Sequence, residues 1–152
     1  MTGRRIAAFD FDGTLTQRDT LMGFLARTFG RRVLAAATAR IAPVAVRARA
    51  GRLDADLHHR DASKVALLRE LCRGYDEGQF AEAGAAYAAT LARRLRPEMV
   101  EQLAWHRDSG HELVIVSASL QTYLAPFGAA HGFDEVIGVE LEAGHGALTG
   151  RL

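Results

Sequence analysis

The sequence predicts an α/β protein in which a small parallel sheet is interrupted by a long helical insertion. Three observations carry this reading. Residues 6–10 form a short apolar run followed at once by turn residues, and two further apolar, β-branched runs occur late in the chain, separated by a helical pattern. Between the first and second runs lie roughly eighty residues of helical character, too many for one crossover between neighbouring strands. Strands that alternate with helices form parallel sheets with right-handed crossovers, and ligands bind beyond the carboxyl ends of such strands.

The elements follow in order. Arg5 to Asp10 reads as a buried strand. Thr20 to Phe29 places Leu21, Phe24, Leu25 and Thr28 at helical spacing, with Gly30 as the stop. Arg31 to Ala50 is rich in alanine and helical in propensity, and Pro43 is expected to kink or divide it. Leu53 to Cys72 carries Leu57, Lys64, Leu67, Leu68 and Leu71 on an amphipathic helix that ends before Gly74. Gln79 to Leu95 continues the helical pattern through Phe80, Tyr87 and Leu91. Pro97 opens the next helix in its first turn, and Ser109-Gly110 closes it. Leu113 to Val116 is the second strand, ending in Ser117-Ala118-Ser119; a helix runs from Gln121 to His131; Glu135 to Leu141 is the third strand. Gly144 to Gly146 then separates it from 147–152, which predicts a hairpin. The expected division is 1–16 with 96–152 as the α/β core, and 17–95 as a helical cap.

Composition narrows the function classes little. The 152 residues are 49% hydrophobic and 24% charged, an ordinary globular balance, and the net charge is +1. Its distribution is uneven: Thr20 to Leu53 holds seven arginines and no acid, which leaves −6 on the remainder. Such a block fits an anionic neighbour, whether substrate phosphate, a membrane surface or nucleic acid, and equally fits a solvated helix face. With eighteen arginines and one lysine, Lys64, compositional bias accounts for part of it. A single cysteine, Cys72, excludes a disulfide framework and fits a core position. The N-terminal residues lack a signal-peptide pattern, and the run Val33 to Val46 is broken by Arg40 and Pro43, so a cytoplasmic protein is expected. Neither the composition nor a base-stacking platform points to nucleic acid; Trp105 and Tyr123 are read as packing residues.

The chemistry concentrates at Asp10-Phe11-Asp12-Gly13-Thr14. Two carboxylates two residues apart close an apolar strand, and their repulsion is offset by a cation or a shared proton. A carboxylate such as Asp10 can attack phosphorus, and Asp12 is placed to protonate a leaving oxygen and then deprotonate water. Mg²⁺, a hard cation that favours oxygen ligands, suits both acids. Other candidates are weaker. His58 and His59 point about 100° apart on a helix and chelate poorly, and His106, His111, His131 and His145 show no ligand spacing.

The DFDGT run resembles the first signature of the haloacid dehalogenase (HAD) superfamily of phosphohydrolases, and Ser117 at the end of Leu-Val-Ile-Val resembles the second. The insertion resembles the C1-type cap of the phosphoserine-phosphatase-like branch, subfamily IB. Gly138-Val-Glu-Leu-Glu with Gly146-Ala-Leu-Thr-Gly resembles that branch's later hairpin. The resemblance implies a HAD-like Rossmannoid sheet and a phosphomonoesterase working through an aspartyl-phosphate. It makes Asp10 the nucleophile and Asp12 the acid/base, with Mg²⁺ held by Asp10 and the Asp12 backbone carbonyl. Phosphate contacts are implied at Phe11, Gly13, Ser117 and Ala118. The branch's serine phosphatases use a glutamate for the substrate amine; the matching Asp19 is one methylene shorter, so a phosphomonoester other than phosphoserine, including a lipid phosphate, stays open.

Two further family signatures, a lysine and a Gly-Asp strand end, have no match: Lys64 precedes Ser117, and nothing after Thr149 is acidic. The expectation is therefore a chain truncated before those motifs, with little turnover by itself and a first strand exposed at the sheet edge, where it could self-associate. The alternative is a non-catalytic remnant that binds phosphate or a protein partner.

Overall fold

The computed structural model describes residues 5–49 and 59–152. The element order is β1 (Ile6–Phe9), α1 (Leu21–Phe29), α2 (Arg31–Arg49), α3 (His59–Cys72), α4 (Glu77–Leu91), α5 (Pro97–Asp108), β2 (Glu112–Leu120), α6 (Gln121–Ala130), β3 (Glu135–Val139), β4 (Ala143–Gly144) and β5 (Ala147–Leu148). The chain divides into two compact units, 1–24 with 80–140 and 25–79 with 141–152.

In the first unit β1, β2 and β3 form a parallel sheet in that order, with Phe9 opposite Ile115 and Ile115 opposite Val136. Alternation along each strand sends Ala7, Phe9, Leu113 and Ile115 to one buried face. Two helices cover that face: His106 of α5 meets the Phe9 ring edge-on at 5.5 Å, and Gly128 of α6 lies against Val136 and Ile115. On the other face Ile6, Val116 and Ile137 are 64%, 45% and 49% exposed, so among the described residues this side of the sheet is largely bare. β1 is an edge strand in the same sense.

A neck joins the sheet to the inserted helices. Thr16 and Leu95 form an antiparallel bridge, flanked by Gln17 N–H to the Arg94 carbonyl (3.2 Å) and Arg96 N–H to the Leu15 carbonyl (2.9 Å). By compactness 17–24 and 80–95 group with the sheet, and 141–152 groups with α2 and α3.

Three local expectations are corrected. Pro43 does not divide α2, which runs through it; Pro43 and Ala39 are both at exposed positions, so the carbonyl that loses its partner faces water. The second strand does not stop at Val116 but continues to Leu120, because a register shift after Val116 lets Leu120 pair with Val139. The hairpin is local: Ala143 pairs with Leu148 and Gly144 with Ala147 across a turn at His145 and Gly146, both at positive φ, so β3 is not its partner. Helix α3 is described over His59–Cys72; the expected start at Leu53, and His58, lie outside the described residues.

Candidate active site

The apolar strand β1 brings Asp10 to the carboxyl end of the sheet, where its side chain is exposed. The chain then makes a single wide turn, closed by Leu15 N–H to the Asp10 carbonyl (3.4 Å) and Thr16 N–H to the Phe11 carbonyl (2.9 Å). Gly13 sits in this turn at φ 79°, a left-handed conformation that side chains disfavour, which explains a glycine there. Phe11 and Leu15 are fully buried and anchor the turn from below; the Phe11 ring packs edge-on against Phe127 at 5.0 Å. In a turn of this width the N–H groups of Phe11, Asp12 and Gly13 have no carbonyl within the turn to bond, the basis of an anion-binding concavity.

The two acids end in different environments. Asp10 is touched by the Thr14 hydroxyl at 3.3 Å and keeps free lone pairs. Asp12 turns inward. Its Oδ1 accepts from both the backbone N–H and the hydroxyl of Thr20, each at 2.7 Å, and its Oδ2 accepts a short hydrogen bond from the Ser119 hydroxyl. Ser119 is 3% exposed and Thr20 fully buried. Since a carboxylate only accepts, the Thr20 proton is committed to Asp12, and the Tyr123 hydroxyl, 3.1 Å from Thr20 Oγ1, must donate into it. From a second side the Tyr87 hydroxyl donates to the Thr20 carbonyl at 2.8 Å, and Arg94 donates to Tyr87 at 3.1 Å. Burial is the main cause that pushes both phenols above their ordinary range. For Tyr123, hydrogen bonding with Ser119 and Thr20 opposes the rise; for Tyr87, Arg94 does. Both phenols therefore stay protonated donors at neutral pH.

The register that sets Phe9 beside Ile115 also carries Ser117 past the same sheet end as Asp10. Ser117 Oγ accepts from the Ser119 N–H at 3.1 Å, and Ala118 is exposed. Asp19, the candidate substrate contact, is exposed, and its carboxylate accepts from the Met22 N–H at 3.2 Å, a cap on the first turn of α1.

The sequence reading missed Thr20, Ser119, Tyr87 and Arg94 as members of the site, and placed Tyr123 only as packing. Tyr123 does pack, in an aromatic cluster with Phe24 and Tyr87, but its hydroxyl also ends the chain of donors that leads to Asp12. The alternation Ser117-x-Ser119 was the available signal for Ser119. Nor did spacing show that His106 and His111 meet, Nδ1 to Nδ1 at 2.8 Å, where the chain turns back after α5. Trp105 is 58% exposed and lies edge-on to both rings rather than in the core. Cys72 is fully buried, and burial pushes its thiol up to about 12.

For a hard divalent cation, the fitting donors are the exposed Asp10 carboxylate and backbone oxygen at the turn. Among the described residues no group of three or more His, Cys, Asp or Glu converges on one point. Mg²⁺ is commonly held by one or two carboxylates with water and substrate phosphate, so this donor set is compatible with it.

An acid-ended parallel strand, a wide glycine turn and a hydroxyl from the neighbouring strand thus meet at one end of a parallel α/β sheet. A family model of haloacid dehalogenase-like hydrolases matches residues 7–152, and the chain belongs to that family. Protein CicA of Caulobacter vibrioides is 36% identical over 141 residues, covering 90% of this chain and 59% of CicA. A Bordetella pertussis Tohama I protein described as of unknown function superposes with a TM-score of 0.71 at 27% identity, over 99% of this chain and 66% of its own. A phosphoserine phosphatase, solved as a phospho-aspartyl intermediate analogue, shares the fold with a TM-score of 0.54 at 17% identity, over 98% and 62%. The chain thus spans about three-fifths to two-thirds of the length of these relatives.

Proposed function

We propose that the chain carries the nucleophilic half of a phosphomonoester hydrolase that works through an aspartyl-phosphate. The single observation behind this reading is the division of labour between the acids: Asp10 exposed with free lone pairs at the strand end, Asp12 held still by Thr20 and Ser119. An Asp10 oxygen attacks phosphorus, the P–O bond to the alcohol breaks, and Asp12 gives the departing oxygen its proton. Water then attacks phosphorus, the bond between Asp10 oxygen and phosphorus breaks to release inorganic phosphate, and the water's proton returns to Asp12. Of about four lone-pair sites on a carboxylate, three are occupied on Asp12, which leaves one for this exchange. The backbone N–H groups of 11–13, with the Ser117 hydroxyl and Ala118, are the donors we assign to phosphoryl oxygens. When bound, Mg²⁺ on Asp10 and the Asp12 carbonyl would neutralise charge between nucleophile and phosphate. The fold shared with a phosphoserine phosphatase captured as a phospho-aspartyl analogue supports the class of reaction; capping by Asp19 and its short reach favour a phosphomonoester other than phosphoserine.

Among the described residues no third acid joins the two, so the 152-residue chain is expected to turn over slowly, with the aspartyl-phosphate as the species to detect. Incubation with an aryl phosphate and Mg²⁺, followed by intact mass, should show one added phosphoryl group that Asp10→Asn abolishes. Labelling that persists in Asp10→Asn would refute the assignment.

A second reading, a chain that binds phosphate or a partner without turnover, is favoured by the open edge of β1 and the bare face around Ile6, Val116 and Ile137. We propose that a second copy pairs along this edge in that case. An unlabelled chain that elutes as a dimer, and as a monomer after Ile6→Lys, selects this reading; a labelled monomer rejects it.

A further inference from the structure

The second unit contains a hollow of about 560 Å³, lined by Arg69, Arg73, Gly74, Leu148, Thr149 and Arg151, in the size range of small-molecule sites. We propose that it binds a phosphate-bearing ligand, at a site separate from Asp10. The argument starts from spacing. Arg69 and Arg73 are four residues apart, the Arg73 N–H bonds the Arg69 carbonyl at 3.3 Å, and both side chains therefore leave the same side of the last turn of α3.

The opposite wall is the β4–β5 hairpin, and backbone bonds fix it in place. The Gly74 N–H donates to the Leu148 carbonyl (2.8 Å), the Leu148 N–H to Tyr75 (2.9 Å), and the Glu77 N–H to Gly146 (3.0 Å). Leu148 is 5% exposed and forms an apolar floor. At Gly150 the hairpin approaches so closely that a Cβ would stand 3.1 Å from Arg73 Cβ and 3.3 Å from the Arg69 backbone. The hollow is thus held by main chain rather than by mobile side chains.

Charge completes the case. Arg151 is paired with Glu142 through two hydrogen bonds, one of them 2.9 Å from Nη2 to Oε1, and Thr149 also donates to that carboxylate. Glu70, next to Arg69 in sequence, is taken by Arg40 at 2.8 Å, and Asp76 caps the Gln79 N–H. Among the described residues no carboxylate pairs with Arg69 or Arg73. Two guanidinium groups with five donors each face one rigid hollow without a counter-charge. The planar fork of arginine matches phosphate oxygens two at a time. The ligand could be a soluble phosphate compound or a phospholipid head group, since both present the same oxygens.

Isothermal titration with inorganic pyrophosphate in EDTA, with backbone amide shifts followed at Gly74, Thr149 and Gly150, tests the site. Binding is expected to move these amides, to weaken by about tenfold or more in Arg69→Gln/Arg73→Gln, and to survive in Asp10→Asn. The Arg69→Lys/Arg73→Lys chain, which keeps the charge and loses the fork, should fall between. Sedimentation with phosphatidylcholine vesicles, with and without phosphatidic acid, separates the sources: arginine-dependent binding only to the acidic vesicles supports the head group, and arginine-dependent pyrophosphate binding supports a soluble ligand. Binding to neither probe, or binding unchanged in a double glutamine variant with native circular dichroism, overturns the proposal.

Discussion

Replacing Thr20 with valine isolates one of the two side-chain hydroxyls that hold Asp12. The substitution keeps the branched shape of a fully buried residue and puts a methyl group in place of its hydroxyl. Two hydrogen bonds disappear: the charge-assisted one from Oγ1 to Asp12 Oδ1 and the one from Tyr123 into Oγ1. The first is worth about 1.5–3 kcal/mol and the second about 0.5–1.5 kcal/mol. The Thr20 backbone N–H remains on Asp12, so the carboxylate is not left bare, and a net loss of about 2–4 kcal/mol is expected. For a chain of this length that lowers the thermal midpoint by about 5–15 °C. Thr20→Ser retains the hydroxyl and loses one methyl group, at a cost of about 0.5–1.5 kcal/mol. Calorimetry or urea unfolding of the three proteins gives the order wild type, serine, valine; Asp10 phosphorylation should fall in the valine variant more than in the serine variant. A valine variant as stable as wild type, or less damaged than the serine variant, would refute the claim that this hydroxyl holds Asp12.

Two further predictions rest on other contacts. In Gly84→Ala the new Cβ would stand 2.3 Å from the Thr122 carbonyl oxygen and 2.7 Å from its carbon, both backbone atoms, so α4 and α6 must separate; destabilisation of about 1–3 kcal/mol or more is expected by urea unfolding, against almost none for Gly78→Ala. Cys72, fully buried with its thiol pushed up to about 12, should resist thiol reagents at pH 8 until the chain unfolds. Because the folded pKa is the higher one, its contribution is complete below about pH 8.5 and is lost as pH rises toward 12, together with those of Tyr87 and Tyr123, whose pKa values are also raised. Alkaline titration of stability should show this decline, and Cys72→Ala should flatten it.

Much of the site was legible before any coordinates. The apolar run into Asp10, the Gly13 that permits a left-handed turn and the β-branched run into Ser117 are local signals, each with one physical cause. The anchors of Asp12 were not legible in the same way. Thr20 lies eight residues beyond Asp12, and Ser119 and Tyr123 more than a hundred, so their meeting depends on how the strands align and on a register shift inside β2. His106 and His111 met for a similar reason, through the reversal after α5.

The α/β class, the acid-bearing strand end and the helical insertion follow from local patterns, because periodicity, turn residues and paired acids act over a few residues. The fold alone brings buried hydroxyls onto Asp12, groups the 143–148 hairpin with α2 and α3, and leaves Arg69 and Arg73 lining a hollow where, among the described residues, no carboxylate pairs with them. Those facts depend on which distant residues are brought within hydrogen-bonding range, and that is fixed by strand register and backbone pairing rather than by local pattern.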